Sequence, residues 1–140
     1  MPSSSSVLIL IISISIIGAI VLWFKANRHR QNEFDSREDI SPERLYESDF
    51  SKTGIDKEVF LKAWEIVARA YKISPLKLRP LDEFDKDLAP LDSYNLGEGK
   101  LDLEKILRSD LQCKEQITLP RVKDFIIYYC EKKRDQVLSA

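Results

Sequence analysis

The sequence predicts an all-α protein, with one apolar helix of membrane length followed by a small helical bundle. Two observations carry this. The eighteen residues from Val7 to Phe24 are uncharged and almost wholly aliphatic. Three later segments repeat apolar residues at the 3.6-residue spacing of a helix, and no stretch alternates with the two-residue period of a strand. With 140 residues in all, the chain has room for one ordinary domain beyond the apolar segment.

Eighteen helical residues rise about 27 Å, close to the thickness of a bilayer's hydrocarbon. Ser13, Ser15 and Gly18 are the only interruptions. A serine hydroxyl in such a helix donates to the carbonyl one turn back, which makes it cheap in lipid. Trp23 stands where an interfacial aromatic belongs, and Lys25, Arg28 and Arg30 follow. A cleaved signal peptide would need a basic start and small residues before the cut. Met1 to Ser6 carries no basic side chain, and Lys25 to Arg30 is a poor cleavage site. The segment therefore reads as an anchor in the lipid bilayer. The basic residues all lie on its C-terminal side, which predicts the N-terminus outside and the rest of the chain in the cytoplasm.

The organisation expected from this is a tail at 1–6, a transmembrane helix at 7–24, a polar tether at 25–54, a helical domain at 55–135 and a tail at 136–140. Within the tether, Ser41 and Pro42 suit the N-cap and first position of a short helix. Asp56 is placed to cap the first helix of the domain, with Ile55 and Phe60 as a hydrophobic staple. Val59, Phe60, Ala63, Trp64, Val67, Ala70 and Tyr71 form its apolar face, and it should end near Lys72. Ser74-Pro75 and Arg79-Pro80 break helix and open a long loop to about Leu91, pinned by Leu78, Leu81, Phe84 and Leu88. A second helix is expected from Gly99 to Leu111, with Leu103, Ile106, Leu107 and Leu111 inward. The last should start at an N-cap Thr118, take Pro120 in its first turn and run to Arg134 on a stripe of Val122, Phe125, Ile126, Tyr129 and Cys130.

This order of features resembles the acyl carrier protein family, the phosphopantetheine-attachment domains. The likeness rests on the loop Ile73 to Ser93, ending Asp87-Leu88-Ala89-Pro90-Leu91-Asp92-Ser93, and on Ile117-Thr118 followed by Val122-Lys123-Asp124-Phe125-Ile126. It spans roughly residues 56 to 133 and implies a non-enzymatic carrier. Ser93, beside Asp92, falls on the serine that bears 4′-phosphopantetheine, and Asp87, Glu98, Asp102 and Glu104 fall on the acidic surface read by partner proteins. Three departures stand out: Tyr94 occupies the position of a leucine, Ala89-Pro90-Leu91 adds about one residue between the Asp-Leu and the Asp-Ser, and Gly97-Glu98-Gly99 follows the serine. Two glycines inside a helix would cost about 2 kcal/mol.

The residues also have a plainer reading. Asp92 and Ser93 fit a turn and a helix cap. The nine acids against four bases between residues 82 and 110 also fit helix N-terminal stabilisation. The alternative function is then a cofactor-free interaction protein that localises a partner or assembles a membrane complex. A cytoplasmic or membrane protein partner is expected on either reading. The net charge of −1 argues against nucleic acid. One histidine and two distant cysteines, Cys113 and Cys130, make no zinc site, and the acids lack the spacing of a calcium loop. His29, beside the basic flank, has no nucleophile near it in sequence. The chain is expected not to be an enzyme.

Overall fold

A computed structural model describes residues 2–91, 98–113 and 118–139. The described chain is helical, as the apolar spacing predicts, and its only β-type pairing is an isolated bridge between Glu83 and Arg121. It divides into two compact units, residues 1–35 and residues 36–140.

The first unit is a single helix, α1 (Ser4–Asp35). Ser13 Oγ donates to the Ile9 carbonyl at 2.8 Å and Ser15 Oγ to that of Ile11 at 2.9 Å, the back-bonding expected of apolar-helix serines. α1 is long and apolar enough to cross a membrane. It does not stop at Phe24. No proline or glycine lies between Lys25 and Asp35, and good helix formers carry the same helix through the first part of the expected tether.

The second unit begins at Ser36, so the rest of that tether is folded. α2 (Pro42–Leu45) starts as predicted, with Ser41 Oγ accepting from the Arg44 amide at 3.3 Å. A π-helical turn at Tyr46–Phe50 and a 3₁₀ turn at Ser51–Thr53 follow, closed by Gly54 at φ 77° in the left-handed region. These turns carry Leu45 and Phe50 into the core. Phe50 and Tyr46 pack on Phe60 with ring centroids 4.8 and 5.3 Å away, and the Tyr46 hydroxyl donates to the Ile55 carbonyl at 2.5 Å.

α3 (Lys57–Ala70) is the central helix and packs against both α4 (Glu98–Asp110) and α5 (Val122–Leu138). Its cap is the predicted one, the Asp56 carboxylate accepting from the Val59 amide at 3.1 Å. Phe60, Ala63, Trp64 and Val67 are completely buried. Each large side chain of this kind stabilises the fold by about 1.5–3 kcal/mol. The Trp64 indole donates to the Pro75 carbonyl at 3.0 Å, tying the loop that follows α3 to the helix it left.

Leu78, Phe84 and Leu88 pin that loop as expected, whereas Leu81 is 64% exposed and does not. The Asp82 amide donates to the Arg79 carbonyl at 3.2 Å, and this turn around Pro80-Leu81 leaves Leu81 outside. Asp82, rather than Leu81, points inward, at 5% exposure.

The last helix also starts later than expected. Thr118 is exposed and α5 begins at Val122. The Val122 amide donates to the Asp82 carbonyl at 2.9 Å and the Lys123 amide to that of Pro80 at 2.8 Å, while the Phe84 amide donates to Pro120 at 3.0 Å. Loop carbonyls therefore satisfy the first amides of α5, the role expected of a side-chain cap. The predicted stripe of Val122, Phe125, Ile126, Tyr129 and Cys130 is buried in full.

Candidate functional site

Asp92 and Ser93 lie outside the described residues. What the structure gives is the frame on both sides of them: the pinned loop that leads in, and α4 after them.

The leading loop is held at three levels. Asp82 Oδ2 accepts from Arg37 Nη1 at 2.8 Å and from the Arg79 amide at 2.9 Å. Arg37 Nη1 also donates to the Lys77 carbonyl at 3.1 Å, and Lys77 Nζ lies 2.8 Å from Asp39 Oδ1. The Ile40 amide donates to the Leu76 carbonyl at 3.0 Å, Lys77 Nζ donates to the Arg37 carbonyl, and Arg79 Nη2 donates to that of Glu38. Residues 36–40 thus form a strap bonded across residues 76–82. The sequence offers no periodic signal for it, because its bonds run from long cations to backbone carbonyls.

The four predicted partner-binding acids are placed differently from one another. Asp87 Oδ2 accepts from the Glu83 amide at 2.8 Å and so caps the π-helical turn at Phe84–Leu88. Glu98 opens α4 and lies 3.8 Å from Lys72 Nζ, and Lys72 itself sits at φ 55° in the left-handed region that ends α3. Asp102 lines a groove of about 250 Å³ between α3 and α4, together with Ile66, Arg69, Ala70, Lys105 and Ile106. Glu104 is half-buried on α4. The acidic surface is therefore thinner than the sequence count suggests. Asp82 is buried on Arg37, Glu83 lies 3.9 Å from Arg121 Nη2, and Glu98 faces Lys72.

Gly99 answers one of the three sequence departures. It is buried in the first turn of α4, and a Cβ there would fall 2.7 Å from Cδ1 and Cε1 of Tyr71. The glycine lets α4 close onto the Tyr71 ring, which in turn stacks on Phe84 at 5.8 Å. In the sequence a glycine here is only a cost to the helix, because spacing does not reveal its partner in space.

On α5 lie two buried groups with displaced acidities. Burial first, then the Asp110 carboxylate and Cys130, push the Tyr129 phenol up to about 12. Burial, Asp56 and Glu131 push the Cys130 thiol up to about 12. The Tyr129 hydroxyl is completely enclosed, and the Asp110 carboxylate is the charged group that acts on it most. Both groups hold their protons longer folded than unfolded, so the unfolded chain binds fewer protons from the ordinary thiol range upward. Stability should fall as pH rises from about 9 towards 12, and Tyr129→Phe should flatten the part above 10. Equilibrium unfolding followed by near-ultraviolet circular dichroism at several alkaline pH values checks this. An unchanged slope in the variant would refute it.

Cys113 Sγ lies 3.1 Å from the Tyr128 hydroxyl, and Cys130 is buried. His29 lies 3.8 Å from Glu33 on α1. No group of three or more metal-ligating side chains occurs among the described residues. No protein-family model, no curated protein and no solved structure matches the chain.

Proposed function

We propose that the chain is a single-pass membrane protein, N-terminus outside, that displays a non-enzymatic, carrier-like helical domain to partners in the cytoplasm. The observation that carries this reading is the uncharged apolar stretch Val7–Phe24 of α1, closed by Lys25, Arg28 and Arg30. Apolar surface of that extent on one helix is matched by lipid, and the one-sided basic flank sets the direction. In sealed inside-out vesicles, protease added outside should remove the domain, and in right-side-out vesicles it should not. The opposite pattern overturns the orientation.

The carrier half of the proposal assigns Ser93 as the site of 4′-phosphopantetheine, beside Asp92, with Asp87, Glu98, Asp102 and Glu104 meeting the partner. Its support is the loop sequence and the tight pinning of that loop by Leu78, Phe84 and Leu88 just ahead of the serine. A carrier needs its attachment serine presented from a fixed frame and has no catalytic groups of its own. Co-expression with a phosphopantetheinyl transferase should add roughly 340 Da to the intact mass, lost in Ser93→Ala. No added mass sinks the carrier.

The burial of Asp82 on Arg37 and the bond from the Glu83 amide to the Asp87 carboxylate favour a second reading. Acids used inside the fold are not offered to a basic partner. The domain is then cofactor-free and holds a partner or a complex at the membrane.

A further inference from the structure

An apolar groove of about 540 Å³ in the second unit runs between the start of α3 and the C-terminal half of α5. Ile55, Val59, Ile127 and Cys130 line it, and Val137 and Leu138 continue its apolar surface to the end of the helix. Val137 and Leu138 are 75% and 76% exposed, although they extend a surface that is otherwise partly covered. We propose that this face is a homodimer interface, in which two copies pair α5 antiparallel about a two-fold axis between residues 132 and 133.

The argument is the order of chemistry along the helix. Ile127, Glu131, Arg134 and Leu138 all line the groove and recur at steps of four, three and four, which makes one straight stripe on a helix. The stripe runs apolar, acid, base, apolar. Reversed, it runs apolar, base, acid, apolar, so it complements itself. With the axis between residues 132 and 133, Glu131 faces the partner's Arg134 and Ile127 faces the partner's Leu138, each contact occurring twice. An isologous interface requires this self-complementarity, whereas an unrelated partner does not.

The neighbouring charges leave the seam open. Lys132 Nζ lies over the Tyr128 ring at 5.6 Å and Lys133 Nζ over the Tyr129 ring at 5.7 Å, each on its own helix. Arg134 Nε lies 3.9 Å from Asp135 Oδ1, a loose and exposed contact that a better-placed partner displaces.

The test is sedimentation equilibrium of the full-length chain in density-matched detergent. The wild type should show a monomer–dimer equilibrium. Glu131→Arg and Arg134→Glu should each raise its dissociation constant about tenfold, because each sets like charges against each other at both symmetric contacts. Combining the two reversals restores the pairs and should recover the constant to within about threefold. Leu138→Glu should leave monomer. Glu131, Arg134 and Leu138 are all exposed, so the far-ultraviolet spectrum should not change. A monomeric wild type, a double reversal that stays weak, or a dimer indifferent to all four variants would overturn the proposal. The last of these would place association elsewhere, α1 included.

Discussion

Gly99→Ala should destabilise the helical domain by about 1–3 kcal/mol, although the same change on an open helix surface stabilises it by up to about 1 kcal/mol. The added methyl would sit 2.7 Å from two carbons of the Tyr71 ring and 2.9 Å from a third. That ring is no flexible tip that swings aside. Tyr71 is 3% exposed and lies against Phe84, which is itself packed edge-on to Phe125 at 6.3 Å. Relief requires α4 to lift from α3 or the aromatic row to shift, and both disturb packing at crystal-like density. For a domain of this size the loss corresponds to several degrees in Tm, read by near-ultraviolet circular dichroism on the full-length chain. A double-mutant cycle sharpens the result. In a Tyr71→Leu background the methyl has room, and the penalty should shrink to below about 0.5 kcal/mol. A Gly99→Ala protein as stable as wild type would show that α4 does not close on Tyr71.

That glycine marks where the sequence could be read and where it could not. α3 was legible because Phe60, Ala63, Trp64 and Val67 recur at helical spacing behind an aspartate cap, and every one of them is buried. The stripe of α5 was legible for the same reason. Its start was not. The cap is made by carbonyls forty residues away, at Pro80 and Asp82, and no local pattern announces a partner that distant. The stretch from Ser36 to Gly54 read as a tether because π-helical and 3₁₀ turns bring Leu45 and Phe50 inward without a regular period. Leu81 lies outside the core and Asp82 inside it for a related reason, since a turn rather than an alternation decides which side each faces. At the candidate site the acids were countable, but their use was not. Only the structure distinguishes Asp82 on Arg37 and Asp87 on its own turn from carboxylates free to meet a partner.

The largest single effect expected is at Arg37. Its guanidinium is the charged partner of Asp82, whose side chain is 6% exposed. Arg37→Ala leaves that carboxylate buried with the Arg79 amide as its remaining donor. Breaking a buried pair from one side costs about 3–5 kcal/mol, and the 29% exposure of Arg37 lowers this, through solvent screening, to about 2–3 kcal/mol. Asp82→Asn should cost less, about 1 kcal/mol, because Arg37 keeps an oxygen to bond and enough water to stay solvated. The double variant should lie nearer Asp82→Asn than Arg37→Ala, since no charge is then stranded. A readout specific to the strap is amide hydrogen exchange at Ile40, whose bond to the Leu76 carbonyl depends on residues 36–40 lying down. That amide should be protected in the wild type and lose protection in Arg37→Ala, ahead of the core amides of α3. The same bonds join residues 36–40 to the loop that precedes Ser93. If Ile40 exchanges freely in the wild type and Arg37→Ala costs nothing, residues 36–40 are the loose tether that their composition suggests.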